Sequence, residues 1–284
     1  MPELPEVETV CRGLAQFLVG QRISSVTINR RNLRLEIPYN LGQVMTGRTV
    51  TSIKRRAKFI VLEFDHAAVI IHLGMSGSIQ FKHRGNPPRS ESQSKHDHVV
   101  WQIDSSHPDQ SFQIIYNDPR RFGLIQVSDS PEWQNHPILA QLGLEPLDSS
   151  FTPAILKSIL QDRKTAIKQL LLDQSAVVGI GNIYAAEALF MAGISPLRPS
   201  NQIKPSEVKK LHRAIQTILH NAIAAGGSSL KDFVQPSGEL GYFQHSWSVY
   251  GRKGQKCPGC DCTGAIEQFE QNGRSSFWCR HKQV

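Results

Sequence analysis

The chain has 284 residues, 39% of them hydrophobic, and 32 basic against 24 acidic side chains give it a net charge of +8. That length supports two modest cores rather than one large one. The absence of any apolar run near the roughly 18 residues of a membrane span excludes a transmembrane helix, and the mixture of charge signs excludes a disordered basic tail.

The opening, Met1-Pro2-Glu3-Leu4-Pro5-Glu6, carries acid where a secretory or transit signal carries base, so the expected location is the cytoplasm. Val7, Val10, Cys11, Leu14 and Leu18 line one face of a helix expected over Pro5–Leu18. From about Arg22 to Val127 the pattern becomes strand-like. Strands are expected at Ile23–Ile28, Lys58–Phe64, Ala68–His72, His98–Ile103, Phe112–Tyr116 and Leu124–Val127. Gly74-Met75-Ser76-Gly77 is the clearest turn, and the polar, aperiodic stretch His83–Ser94 reads as a surface loop.

After a proline-punctuated connection, Pro137–Pro153, the pattern turns helical. Val208, Leu211, Ile215, Ile218, Leu219 and Ala222 form a stripe, and Gly226-Gly227 supplies its stop. The tail, Trp247–Val284, is short, aromatic and rich in cysteine. Cys11 stands alone, whereas Cys257, Cys260, Cys262 and Cys279 crowd together, a distribution that suits a metal knuckle in a reducing compartment. The expected class is α+β: a β-rich N-terminal domain, a helical domain and a small finger, at residues 1–135, 136–246 and 247–284. The basic excess favours a polyanionic partner, of which nucleic acid is the commonest.

Removal of Met1 exposes a secondary amine at Pro2. An α-amino group titrates near pH 8, so a useful fraction is unprotonated at neutral pH. Attack of that amine on a sugar aldehyde carbon gives an iminium that is already cationic, an electron sink for elimination. Glu3 beside it suits general acid–base work. Read from the residues alone, the same segment also suits a plain helix start, where proline and glutamate are both favoured.

The ordered motifs Pro2-Glu3-Leu4-Pro5-Glu6, Arg55-Arg56-Ala57-Lys58, His72-Leu73-Gly74-Met75-Ser76-Gly77, Lys95-His96-Asp97-His98, Asp118-Pro119-Arg120-Arg121-Phe122-Gly123, Gly179-Ile180-Gly181-Asn182-Ile183-Tyr184 and Gly241-Tyr242-Phe243 span nearly the whole chain. Together they resemble the formamidopyrimidine-DNA glycosylase family. Leu4 resembles the purine-directed branch, since the pyrimidine-directed endonuclease VIII branch typically has glycine there.

The resemblance implies an N-terminal β-sandwich with flanking helices, a helix–two-turn–helix domain and a C-terminal β-hairpin finger. It implies a monomer on double-stranded damaged DNA that excises 8-oxoguanine and formamidopyrimidines, then cuts the strand by β,δ-elimination. Pro2 would form the Schiff base, Glu3 would handle protons at the sugar with Glu6 in support, and Lys58 would donate a proton during elimination. Met75, Arg120 and Phe122 resemble the wedge that replaces an extruded base, next to Arg121. His72, His96, Arg163, Lys168 and Asn182 resemble phosphate ligands. Lys231 and Tyr242 belong to a loop, Gly226–Phe243, that closes over the flipped base in relatives. Arg274 resembles the finger arginine assigned to δ-elimination.

The finger departs from the family pattern of two Cys-x2-Cys pairs separated by sixteen residues. Cys257-Pro258-Gly259-Cys260 is an intact first pair, yet it is Cys262 that lies sixteen residues before Cys279, and Lys282 holds the fourth place. One structural zinc ion on Cys257, Cys260, Cys279 and His281, with Cys262 as an alternative ligand, stands against a zincless finger packed around Phe269, Phe277 and Trp278. No catalytic cofactor is expected. A non-catalytic lesion-binding protein on the same scaffold is the rival reading, and a pyrimidine-directed glycosylase is a further one.

Overall fold

Proline and glutamate in the first turn start helix α1 (Leu4–Leu18), whose Val7, Val10, Cys11, Leu14 and Leu18 are all buried. In the computed structural model, residues 1–83, 94–104, 111–228, 242–262 and 264–284 are described. The chain divides into two bodies, Met1–Ala140 with Gly226–Gly241, and Gln141–Ala225 with Tyr242–Val284.

The first body is a β-sandwich. After α1 come β1 (Ile23–Ile28), α2 (Leu41–Met45), β2 (Ser52–Arg56), β3 (Phe59–Glu63) and β4 (Ala68–His72). Then follow β5 (Ser78–His83), β6 (Asp97–Ile103), β7 (Phe112–Asn117), β8 (Leu124–Ser128) and the single turn α3 (Pro137–Ala140). One antiparallel sheet has the order β1-β6-β7-β5 and the other β2-β3-β4-β8. Val7 and Leu14 of α1, Trp101 and Ile114 of one sheet, and Ile60, Leu62 and Ile71 of the other share one core. Each such apolar side chain stabilises the fold by about 1.5–3 kcal/mol on burial. Ile60 faces Ile71 across β3 and β4, and Ile71 faces Ile125 across β4 and β8, so the register places β-branched pairs side by side.

The second body contains α4 (Pro153–Gln161), α5 (Ile167–Leu172), α6 (Asn182–Ala192) and α7 (Pro205–Ala224), then the hairpin β9 (Glu267–Gln271) and β10 (Arg274–Trp278). Thr152 caps α4 by accepting from the Ile155 N–H. Gly193, at φ +72°, closes α6 in the left-handed conformation. The expected stripe of α7 is buried throughout. On α6, Glu187 is buried among apolar neighbours, and its carboxylate accepts the N–H groups of Ser248, Val249 and Tyr250 at 2.8–2.9 Å. That anion anchors the chain where it enters the finger. The finger itself packs Val249, Ile266 and Phe277 against Phe190 and the buried Cys257 and Cys279.

The expected N-terminal helix and the six expected strands are present with ends shifted by one residue at most. The periodicity gave no sign of β2, β5 or the finger hairpin, nor of α4, α5 and α6 as separate helices. Most of the His83–Ser94 loop lies outside the described residues. Among the described residues, no helix is long and apolar enough to cross a membrane.

Candidate active site and cysteine cluster

The start of α1 is built around Glu6. Its side chain is fully buried, and one oxygen accepts from the Glu3 N–H at 2.8 Å while the other accepts from the Ser228 N–H at 2.8 Å. The Glu3 side chain in turn caps the Glu6 backbone, so the two glutamates hold each other in a capping box. Pro2 and Glu3 are buried beside them. A buried carboxylate with both oxygens satisfied fixes its donors, and here it fixes the residue next to Pro2. Ser228 ends the described part of the Gly226–Phe243 loop. Lys231 and the rest of that loop up to Gly241 lie outside the described residues.

The turn from β2 to β3 passes through Ala57 at φ +54°, a conformation costly for a residue with a Cβ. Its carbonyl is held by the Arg55 guanidinium at 3.2 Å, and Arg55 is also bound to Glu8 at 3.0 Å. The turn delivers Lys58 into a buried position. His72, at the end of β4, packs against Phe59 with ring centroids 4.8 Å apart and the rings tilted by 58°, and its Nδ1 accepts from the Gly74 N–H at 2.9 Å. Burial, joined by the positive charges of Lys58 and Arg34 and opposed by Asp118, lowers the His72 imidazole to about 4. The ring is therefore neutral near pH 7, with Nδ1 accepting and Nε2–H left as the donor.

Met75, Arg120, Arg121 and Phe122 are all exposed, on two neighbouring turns. The Arg120 guanidinium lies 4.9 Å above the Phe122 ring. His96 is half-buried on the segment that leads into β6.

In the second body, Asn272 and Gly273 at φ +50° and +70° make the two-residue turn of the hairpin, which leaves Arg274 exposed at its tip. The hairpin is gripped from the helices. Lys168 of α5 donates to the Ser275 carbonyl at 3.0 Å and the Ser276 hydroxyl at 2.6 Å, and Asn182, the first residue of α6, donates to the same carbonyl at 2.9 Å. Lys168, expected as a phosphate ligand, is thus 1% exposed, and its ammonium is committed to the finger backbone. Lys168, Gln169, Asp173, Asn272 and Arg274 border a recess of about 190 Å³. Arg163 and Tyr242 are exposed.

Cys257, Cys260, Cys262 and Cys279 bring their sulfurs within 4.8 Å of one another. Cys279 Sγ lies 3.7 Å from that of Cys260 and 3.8 Å from that of Cys262. Zinc–sulfur bonds of about 2.3 Å in a tetrahedron put sulfurs about 3.8 Å apart. Both Cys279 separations match that, the Cys260–Cys262 pair at 2.9 Å is closer, and four thiols so gathered are a donor set of the chemistry zinc takes. His281, expected in the fourth place, is exposed and its ring lies against Gly264. The reason is local: the Cys279–Gln283 turn is closed by paired bonds between Cys279 and Gln283, and the tail does not bring His281 into the sulfur cluster. Lys282, in the remaining family position, points its ammonium at the Gly259 carbonyl, 3.4 Å away, and over the Phe190 ring.

Sequence reasoning singled out neither Asp118 with Ser76 nor Glu187 as a buried carboxylate. For Glu187 a signal existed: one acid in an otherwise apolar helix, Asn182–Ala192.

A family model described as the formamidopyrimidine-DNA glycosylase N-terminal domain matches residues 1–125, and one described as that enzyme's H2TH domain matches residues 142–234. The formamidopyrimidine-DNA glycosylase of Rhodospirillum rubrum is 48% identical over 288 residues, covering 100% of both chains. That of Ruegeria is 46% identical over 98% of each. Among solved structures, wild-type Lactococcus lactis Fpg with an N7-benzyl-Fapy-dG containing DNA superposes with a TM-score of 0.87 at 33% identity, covering 99% of each chain. The MutM protein of Thermus thermophilus does so at 0.85 and 32%, covering 99% of this chain and 98% of that one.

Proposed function

The chain belongs to the formamidopyrimidine-DNA glycosylase family, and on that premise we propose that it removes 8-oxoguanine and formamidopyrimidines from double-stranded DNA and then cuts the strand at the same site. The observation that carries the reading is the buried Glu6 carboxylate, which ties the Glu3 N–H to the Ser228 N–H and so fixes the residue next to Pro2.

In the proposed reaction the Pro2 nitrogen, freed by removal of Met1, attacks C1′ of the damaged nucleoside with its lone pair. The C1′–base bond breaks and the base leaves with the proton of the amine. The C1′–O4′ bond then breaks, O4′ takes a proton, and the nitrogen becomes an iminium to C1′ of the opened sugar. A proton is then lost from C2′, and its electron pair expels the 3′ phosphate. A second elimination expels the 5′ phosphate, and water releases the sugar fragment from Pro2. Glu3 serves as the proton carrier at the sugar, and Lys58 as a proton donor during elimination. Arg274 assists the second elimination from the tip of the finger.

The exposed set Met75, Arg120 and Phe122 supplies the wedge, with Arg121 next to it. Apolar insertion offsets an unstacking cost of a few kcal/mol. His72 through Nε2–H, His96, Arg163 and Asn182 hold phosphates, while Lys231 and Tyr242 act at the flipped base. Lys168 holds the hairpin that carries Arg274. The work is divided among residues 1–135, 136–246 and 247–284, and it takes place where the cell keeps its DNA. One zinc ion on Cys257, Cys260, Cys262 and Cys279 would cross-link the finger without entering the chemistry.

Borohydride trapping on a duplex with 8-oxoguanine opposite cytosine tests the reading, alongside a Pro2→Gly variant and an oxidised-pyrimidine duplex. A covalent complex on the purine duplex that disappears in the variant supports it. No complex, with Met1 shown to be removed and the lesion tightly bound, leaves a lesion-binding protein instead. Preferential trapping on the pyrimidine duplex moves the substrate to that class.

A further inference from the structure

Beneath the exposed Met75, Arg120 and Phe122 lies one fully buried carboxylate, Asp118. Its Oδ1 accepts from the Ser76 hydroxyl at 2.6 Å, and its Oδ2 accepts from the Gly123 N–H at 2.8 Å and the Tyr116 hydroxyl at 3.4 Å. The Ser76 hydroxyl oxygen then accepts from the Arg120 N–H at 3.1 Å. Asp118 is fixed in its own right, since its carbonyl accepts from the buried His98 ring at 2.8 Å and its N–H donates to the His96 carbonyl.

The two turns are thus joined twice over. Ser76 sits beside Met75 on one turn, and Arg120 and Gly123 flank Phe122 on the other. The join is also steric. A Cβ on Gly74 would fall 2.4 Å from the Phe122 carbonyl carbon, and one on Gly123 would fall 1.8 Å from the Tyr116 hydroxyl. Only glycine lets the two backbones meet closely enough for one carboxylate to serve both.

We propose that Asp118, acting through Ser76, is a positioning residue that locks the Met75 turn to the Arg120–Phe122 turn so that the three side chains enter a duplex as one rigid wedge. The proposal rests on the excision reading above. Its chemical logic is that of charge-assisted bonds in a buried site, which hold geometry better than neutral ones. A wedge whose parts move independently loses part of its insertion energy in ordering them. The penalty falls on extrusion of a stacked base and spares a site from which the base is already gone.

The test compares single-turnover rates of the parent, Ser76→Ala and Asp118→Ala on two duplexes of one sequence. The first contains 8-oxoguanine opposite cytosine and the second a preformed abasic site. Ser76→Ala cuts the link alone and leaves the Gly123 N–H paired. It is expected to slow base release about tenfold, the equivalent of one lost buried hydrogen bond, and to change abasic-site cleavage less than about threefold. Asp118→Ala is expected to widen that gap. If it fails to fold, shown by loss of the parent's thermal transition, Ser76→Ala alone decides. Equal losses on both duplexes, or no loss on either, overturn the proposal. A parent inactive on both duplexes overturns the excision reading instead.

Discussion

The Lys168 ammonium donates to the Ser275 carbonyl at 3.0 Å, across 107 residues of chain, and shares that oxygen with the Asn182 amide. Lys168→Met removes a donor from the Ser275 carbonyl and the Ser276 hydroxyl, which keeps only its bond to the Gln271 Oε1, and weakens the hold on the hairpin. The expected loss is about 1–3 kcal/mol of stability, read by thermal unfolding. The salt dependence of DNA binding gives the second readout. A phosphate ligand contributes about one unit to the slope of log affinity against log salt. Lys168→Met is expected to leave that slope unchanged, whereas Arg163→Ala, at an exposed guanidinium, is expected to lower it by about one. A reduced slope for Lys168→Met restores that lysine to the phosphate contacts.

Glu6 gives the second prediction. Both its oxygens accept backbone N–H groups, so Glu6→Gln sets an amide donor against one of them. The expected cost is about 1–3 kcal/mol in stability, with a fall of at least about tenfold in borohydride trapping. A variant that traps as well as the parent removes Glu6 from the support of Pro2.

The cysteine cluster predicts a reversal of the ligand set that spacing favoured. Cys262→Ser is expected to lower bound zinc well below one equivalent in protein purified without added metal, and His281→Ala is expected to leave it unchanged. Elemental analysis decides. Loss of zinc in His281→Ala, with retention in Cys262→Ser, overturns the assignment. Less than about a tenth of an equivalent in the parent means the four sulfurs hold no metal, against the usual strength of such sites.

His72 predicts an acid sensitivity. Its folded value is about 4 against an ordinary 6.5. Above pH 6.5 the ring is neutral in both states and folding costs nothing at this site. As pH falls below 6.5 the unfolded chain takes up a proton that the folded one refuses, so stability drops until about pH 4. The share lost by pH 5 is about 2 kcal/mol. Denaturation at pH 7 and pH 5 is expected to show His72→Gln losing less than the parent by that amount. Equal losses mean His72 titrates normally.

How far the sequence revealed the structure depended on whether one face of an element is wet. Helix α1 and the α7 stripe were legible because apolar residues recur at helical spacing against polar ones. Helix α6 showed only its start, at Asn182 after Gly179-Ile180-Gly181, because Ile183 to Phe190 are buried all round and leave no stripe. Strand β2, Ser-Ile-Lys-Arg-Arg, hid behind its charges. The candidate site was legible mainly as a family pattern. Its chemistry-bearing residues stood out, but the buried groups that hold them did not, since Asp118 and Glu187 look in sequence like any other acids. The partners of Lys168 were hidden for the same reason: they lie more than a hundred residues away along the chain. His281 is near Cys279 along the chain, yet it is Cys262 whose sulfur joins the cluster.

The arrangement of the four thiols also bears on the order in which the finger assembles. Three of them, Cys257, Cys260 and Cys262, lie within one short loop, and the fourth follows only after the hairpin. Closing the short loops costs little chain entropy, whereas closing the long one costs more. During synthesis the three-thiol loop emerges first, so an ion captured there would wait for Cys279 and would draw β9 and β10 together as its shell is completed. Capture would then come before the hairpin and guide it, and Arg274 would reach its place at the tip last.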